Sequence, residues 1–369
     1  MRQYYFPPPV HTLYYSGYKQ GGGTMKRIAA TLQVAFTYIG TVVGAGFATG
    51  QEILQFFTKY GTVAVATILV STVLFMWVGT KLMLIAHDLG ASSYEDVNKA
   101  LFGKRAGEWF SLLLLVELFS VSIVMLAGAG SVFREQLGLP FLLGITATLA
   151  LGYYVITRGM RGIMAVNSVV VPAMLLFTGI VFWHTLHSPS FQSLGWLHLP
   201  DPYPPGRAWI APLLYAAFNM ASAQAVLVPL GSAIRDRTAI ARGAALGGVG
   251  LGLLLLIGHL SLSAHAPGVF RYEIPMGLVV AGTGAAVHLI YLLLIYAEIF
   301  TTFIANIFGL SLQVAERTQL KQRAVVVGAL LLCFGVSFVG FKALLSTLYP
   351  FFGALSLIWF AVVVTRRRV

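Results

Sequence analysis

The sequence predicts an all-α polytopic membrane protein, and three observations point there: its composition, the length of its apolar runs, and the sides on which its basic residues fall. Of 369 residues, 58% are apolar and only 10% are charged. Soluble domains carry about 25% charged residues, so this chain cannot cover itself with a water-facing surface and belongs in a bilayer. No basic face or tail is large enough for the net charge of +12 to serve nucleic acid, which excludes that partner. The lone cysteine, Cys333, sits in an apolar run. Disulfides and cysteine-ligated metal sites are therefore excluded, and packing is its expected role.

Residues 1–24 come first, with three consecutive prolines, three consecutive glycines and no apolar core. They read as a disordered or mis-called N-terminal extension. A signal peptide needs a continuous apolar stretch, and Met25-Lys26-Arg27 opens the hydrophobic sequence in the manner of a bacterial membrane protein. Ten apolar runs follow, at about 28–57, 62–86, 108–133, 139–156, 163–184, 208–234, 243–263, 284–311, 324–340 and 343–364. Each is near the ~20 residues that a helix needs to cross ~30 Å of hydrocarbon. Such lengths exclude barrel strands, and backbone groups in lipid must be satisfied internally, so ten transmembrane helices separated by short charged loops are expected.

The basic residues orient them. With the first span starting inside, seventeen of the 24 Lys and Arg residues fall on the cytoplasmic side. Only Lys59, Arg134, Arg207, Arg271 and Lys342 fall opposite, with Arg2 and Lys19 left in the extension. This bias implies a multi-pass protein of the inner (plasma) membrane with both termini cytoplasmic. Ten spans with both ends inside divide into five plus five, residues 25–184 and 208–369, joined by an extracellular loop at 185–207. An odd number per half inverts the second half, which is the inverted repeat of secondary transporters.

In that architecture the first helix of each half is expected to be broken at mid-membrane. Span one carries Gly40, Gly44, Gly46 and Gly50 within eleven residues, and span six carries the small and polar stretch Phe218-Asn219-Met220-Ala221-Ser222-Ala223-Gln224 before Pro229. Glycine disfavours a helix by up to ~1 kcal/mol, so a cluster invites unwinding. Unwound backbone exposes N–H and C=O groups that a solute and an ion can satisfy. The same glycines also fit the small-xxx-small spacing of packed membrane helices. The coincidence of two breaks, five helices apart, favours a binding site.

The segment Gly44-Ala45-Gly46-Phe47 resembles the glycine-rich unwound motif in the first helix of the amino acid–polyamine–organocation superfamily, which has the LeuT-type fold. More closely, GTVVGAGFATGQEILQFF together with YAAFNMASAQAVLVPLGSAI is similar to the YkvI-type family of bacterial membrane proteins, classed with amino acid permeases, over residues 25–369. The resemblance implies a core of helices one, three, six and eight. It implies a substrate carboxylate on the amides of Ala45 and Gly46 beside Gly44, and an ammonium group on the Val42 carbonyl. Half-helix N-termini favour anions, in agreement. Phe218, Asn219 and Ser222 would complete the solute site from span six. The fold often holds sodium between helix-one carbonyls and a hydroxyl pair of helix eight, which here implies Gly40 and Val43 with Thr301 and Thr302. Threonine hydroxyls also bond back to their own helix, and both roles stay open. Phe47 stands where symporters with a second sodium place an asparagine, so no second sodium site is expected.

Carboxylates inside a membrane are expensive and functional by default. Glu117 in span three and Glu298 in span eight are candidates for ion coupling, as proton carriers, ammonium counter-charges or cation ligands; a buried neutral acid bonded to a neighbour is the alternative. Gln51 and Glu52 are expected to face an outer vestibule or to cap the half-helix that starts near Thr49. His259 and His288 could shuttle protons, although lone histidines in membrane helices are more often packed, and no histidine pair has metal-ligand spacing. Asp88, Asp96, Asp201 and Asp236 all fall in loops, and neither a GxSxG elbow nor a P-loop is present. An enzyme and a primary pump are therefore not expected, nor is a cofactor other than a sodium ion. The expected function is ion-coupled symport of an amino acid or related amine by alternating access, driven by sodium or protons. A transporter-fold membrane sensor or assembly protein without net transport is the alternative.

Overall fold

The computed structural model describes residues 23–91, 93–158, 160–192 and 205–366. Residues 1–22 of the expected extension and 193–204 of the expected connecting loop lie outside the described residues. Every described element is helical. Helix α1 (Gly23–Val42) is followed by two short helices, α2 (Ala45–Ala48) and α3 (Gln51–Phe56). A continuous span, Val63–Leu89, combines α4 (Val63–Leu74), a π turn and α5 (Thr80–Leu89). Next come α6 (Tyr94–Phe102), α7 (Lys104–Ser131, extended by a π turn to Gln136), α8 (Phe141–Thr157), α9 (Met160–Leu186) and the short α10 (Pro189–Gln192). The remaining helices are α11 (Pro205–Ala233), α12 (Arg237–Ser263), α13 (Pro275–Ala281), α14 (Ala285–Thr318), α15 (Gln322–Ser337) and α16 (Phe341–Thr365).

Six helices among the described residues are long and apolar enough to cross a membrane, and Phe141–Thr157, Pro172–Leu186 and Gln322–Ser337 are shorter apolar helices. Leu69, Val73, Leu331, Leu332 and Ile358 point outward from the bundle, as lipid-facing residues do. The exposed Trp109 sits near the start of α7, whereas Trp183 and Trp209 sit at the other end of the bundle. That placement matches the aromatic belts of membrane proteins.

Glycines set the closest approach in the bundle. A Cβ at Gly243 would stand 2.6 Å from the Thr31 carbonyl oxygen, and one at Gly250 would stand 2.6 Å from Ile39 Cδ1, so this face of α12 lies directly on α1. A Cβ at Gly248 would meet the Met76 backbone at 2.6 Å, which brings the opposite face of α12 onto the Val63–Leu89 span. Small residues that let backbones touch are the usual means of holding helices together where lipid removes the hydrophobic drive. On α11, Ser232 completes such a contact by donating to the carbonyls of Ala86 at 2.9 Å and Ala91 at 2.5 Å.

Among the described residues three α-helices lie outside the expected spans: α6, α10 and α13. Residues 94–102, expected within a charged loop, form α6, opened by a reciprocal capping box in which Ser93 Oγ accepts from Asp96 N–H at 3.3 Å and Asp96 Oδ2 accepts from Ser93 N–H at 3.0 Å. The Ser-x-x-Asp spacing is the signal that marks this start. At the same end of the bundle, Glu95 pairs with Lys99 at 2.8 Å and Arg317 at 3.5 Å, and Arg237 pairs with Asp88.

Asp236 caps α12 by accepting from the N–H groups of Thr238 (2.9 Å) and Ala239 (3.2 Å), and Arg27 Nε donates to it at 2.5 Å. The Ala239 N–H and then the Arg27 guanidinium hold its carboxyl below the usual aspartate range. A depressed folded-state pKa contributes stability that is present above the unfolded value and is lost as pH falls through the folded one. The melting temperature is therefore expected to drop on acidification below about pH 4. Asp236→Asn, which keeps a capping oxygen, should flatten that acid limb in a thermal scan against pH; an unchanged limb contradicts the assignment.

Candidate functional site

The bundle centre is organised around the end of α1. Val43 N–H still donates to the Ile39 carbonyl at 2.8 Å, but Gly44 is extended at φ −118°, ψ −170°, and the helix restarts with Ala48 N–H on the Gly44 carbonyl at 2.9 Å. The last carbonyls of α1 and the first amides of α2 thus lack intrahelical partners. Gly50 then turns the chain in the left-handed region at φ +81°. A Cβ there would strike Met276 Cγ at 2.6 Å, and Met276 N–H donates to the Thr49 carbonyl at 3.0 Å. Helix α13 is thereby docked on the far edge of the interruption.

Several of the expected site residues meet here. A Cβ on Gly44 would lie 3.8 Å from Thr302 Oγ1 of α14. Ala48 packs with Val170 and Met174 of α9 and with Leu294 and Ala297 of α14. One turn before the threonines, Glu298 is 3% exposed and its Oε1 has no hydrogen-bond partner. The two threonines behave differently. Thr301 donates its hydroxyl to the Glu298 carbonyl at 3.1 Å, the back-bond that threonine makes within its own helix. Thr302 is the hydroxyl that faces Gly44. Gly40 lies in the last turn of α1, Val42 is its final residue, and Val43 occupies the interruption itself.

Span six departs from expectation. Helix α11 runs from Pro205 to Ala233 with no interruption at 218–224. Its physical cause is composition: no glycine occurs between Gly206 and Gly231, and five alanines, at 216, 217, 221, 223 and 225, are the best helix formers. The polar residues turn to neighbours instead of loosening the backbone. Asn219 Nδ2 donates to the Tyr215 carbonyl at 3.0 Å, and Ser222 Oγ donates to Glu117 Oε1 of α7. Phe218 stacks on Tyr349 of α16 with ring centroids 4.3 Å apart.

Glu52 also departs from expectation. It makes no capping bond to α3 and is buried. Its carboxyl folds back over Gly46, where a Cβ would stand 2.6 Å from Glu52 Cδ, and Tyr215 OH donates to Oε2 at 3.3 Å. Gln51 is fully buried, and both of its side-chain polar atoms lack partners. The sequence neighbours of Glu52 point to a cap; the packing of α3 against α11 decides otherwise. His259 is packed, with Nδ1 3.2 Å from both Thr58 Oγ1 and Ser263 Oγ. Among the described residues no three His, Cys, Asp or Glu side chains gather as a metal site.

No protein-family model matches the chain. It is 42% identical over 327 residues to the uncharacterized membrane protein YkvI of Bacillus subtilis (strain 168), covering 88% of this chain and 92% of that one. The chain belongs to the YkvI family. It is also 27% identical to YyaD of the same organism, over 86% of this chain and 91% of that one. The fold of this YkvI-family chain matches solved LeuT-fold transporters. Mhp1 in its inward-facing conformation aligns with a TM-score of 0.61 at 14% identity, covering 90% of this chain and 75% of that one. MhsT in complex with L-phenylalanine aligns at 0.60 and 16%, covering 89% and 81%. A manganese transporter of Eremococcus coleocola aligns at 0.55 and 13%, covering 93% and 78%.

Proposed function

We propose that the protein is an ion-coupled secondary transporter of an amino acid or related small amine, working by alternating access. The observation that carries this reading is the interruption of α1 at Val43–Gly44, with the Thr302 hydroxyl of α14 facing it and the unpartnered Glu298 oxygen buried one turn earlier on the same helix. Backbone left unpaired at this depth is tolerated where it lines a cavity or meets a ligand. In this reading the helices count as ten spans in an inverted five-plus-five repeat, with both termini in the cytoplasm of a bacterial plasma membrane. The amides of Ala45 and Gly46 beside Gly44 receive the solute carboxylate, and the Val42 carbonyl receives its ammonium group. Phe218 and Asn219 close the site from an intact α11. Gly40 and Val43 carbonyls with Thr302, and Thr301 after release of its back-bond, form the cation locus. Glu298 and Glu117 are the coupling carboxylates.

The unbroken α11 favours a second reading, in which the same fold serves as a membrane sensor or assembly protein without net transport. Uptake of a radiolabelled mixture of proteinogenic amino acids into proteoliposomes, under imposed sodium or proton gradients, separates the two. Transport predicts gradient-driven accumulation that falls at least about tenfold in Glu298→Gln and Thr302→Ala, a loss of about 1.4 kcal/mol of transition-state stabilisation for each decade. Binding without flux under any gradient supports the sensor.

A further inference from the structure

Two buried carboxylates lie at different levels along α11. Glu52 accepts from the Tyr215 hydroxyl at 3.3 Å, and Glu117 accepts from Ser222 Oγ. Tyr215 and Ser222 are seven residues apart, so these contacts sit two turns, or about 10 Å, apart on one face of the helix. Between them Phe218 stacks on the buried Tyr349 of α16, which is 2% exposed. Among the described residues neither acid forms an ion pair. Past Glu117 a narrow recess lined by Gln224, Ser356 and Trp359 has room for about one water molecule, and the buried Gln224 Oε1 is unpartnered there.

A sealed, ionised carboxylate with a single hydroxyl donor carries a large desolvation penalty, which a proton removes. A metal cation would need several oxygen ligands in place of that one hydroxyl. Resting on the transporter reading above, we propose that a coupling proton, separate from the cation locus at the α1 break, is carried along this face of α11 and held in turn by Glu52 and Glu117, with Tyr349 relaying it. In the transfer step the protonated Glu52 gives its proton to the Tyr349 oxygen while the Tyr349 hydroxyl gives its own to the Glu117 carboxylate. Tyr349 is neutral before and after, and the negative charge passes from Glu117 to Glu52. The titratable groups facing the pair are Tyr215 from α11 and Tyr349 from α16. On α12, His259 is engaged by Thr58 and Ser263, and on α14, Glu298 and Tyr291 are buried.

The test is pH-titrated infrared difference spectroscopy of the purified protein in lipid nanodiscs, which requires no solute. The expected result is two protonated-carboxyl bands, of which Glu52→Gln removes one and displaces the titration of the other, with the reciprocal outcome for Glu117→Gln. Tyr215→Phe, which keeps the ring and removes the donor, should shift the Glu52 band. Absence of these bands, or a Glu117 titration unmoved by Glu52→Gln, overturns the relay. In proteoliposomes loaded with a pH-sensitive dye, uptake of the amino acid mixture should acidify the lumen, and Tyr349→Phe should slow that acidification at least tenfold. Uptake that persists without lumen acidification overturns proton coupling while leaving transport standing. A wild type that moves no amino acid defeats the transport reading instead, and the infrared titration still decides whether the two acids share protons.

Discussion

Gly46→Val is expected to reduce amino acid uptake by at least about tenfold while the protein still reaches the membrane. A Cβ at this position would stand 2.6 Å from Glu52 Cδ and 2.7 Å from Cγ. Something must move, and the part free to move is the carboxyl end of Glu52. It would leave its place over the break, lose the Tyr215 hydroxyl and press into a site already filled by Phe56, Phe57 and Tyr215, whose rings lie 5.1 Å apart in each pair with Tyr215. Overpacking of this kind typically destabilises by about 1–3 kcal/mol. A double-mutant cycle isolates the contact: the destabilisation by Gly46→Ala should shrink in a Glu52→Ala background, because the clashing partner is gone. Equal destabilisation in both backgrounds would show that Gly46 serves another purpose.

The largest stability effect is expected from Gly231→Val, where α11 meets α5. A Cβ at Gly231 would stand 2.9 Å from Met83 Cα and 3.0 Å from its carbonyl carbon. These are backbone atoms inside a helix, so no side-chain rotation relieves the overlap. The helices must separate, and the Ser232 bonds to Ala86 and Ala91 go with them. A loss of about 3 kcal/mol or more is expected, at the upper end for overpacking. Gly328→Val is the control, since nothing stands within 4 Å of its Cβ position. Thermal unfolding in detergent, followed by fluorescence-detected gel filtration, should show Gly231→Val largely unfolded or aggregated and Gly328→Val close to wild type. Similar profiles for the two would remove the close-contact account of the α5–α11 interface.

Membrane residence and helical class are written into composition and run length, which depend on nothing beyond local hydrophobicity. The end of α1 at Val42 has a similarly local cause, because glycines at 40, 44, 46 and 50 weaken the helix wherever it sits. The rest depended on partners distant in sequence. Residues 218–224 look like an interruption because they are small and polar, yet Ser222 bonds Glu117 from a helix more than a hundred residues away and Asn219 bonds its own preceding turn. Glu52 looks like a cap because it lies in the first turn of a short helix, and only the approach of Tyr215 shows that it turns inward. The adjacent threonines look equivalent in sequence; helix geometry sends Thr301 to the Glu298 carbonyl and Thr302 toward Gly44.

Solvent access to the interruption from the two membrane faces is the most direct test of a carrier built on it. Cys333 is the sole cysteine and is buried, so Cys333→Ala provides a background in which Ala48→Cys, beside the break, is the single reactive thiol. Membrane-impermeant thiol reagent applied to right-side-out and inside-out vesicles should label it from either face, with both rates lowered by the amino acid mixture. Labelling from one face alone, or from neither, would contradict alternating access at α1.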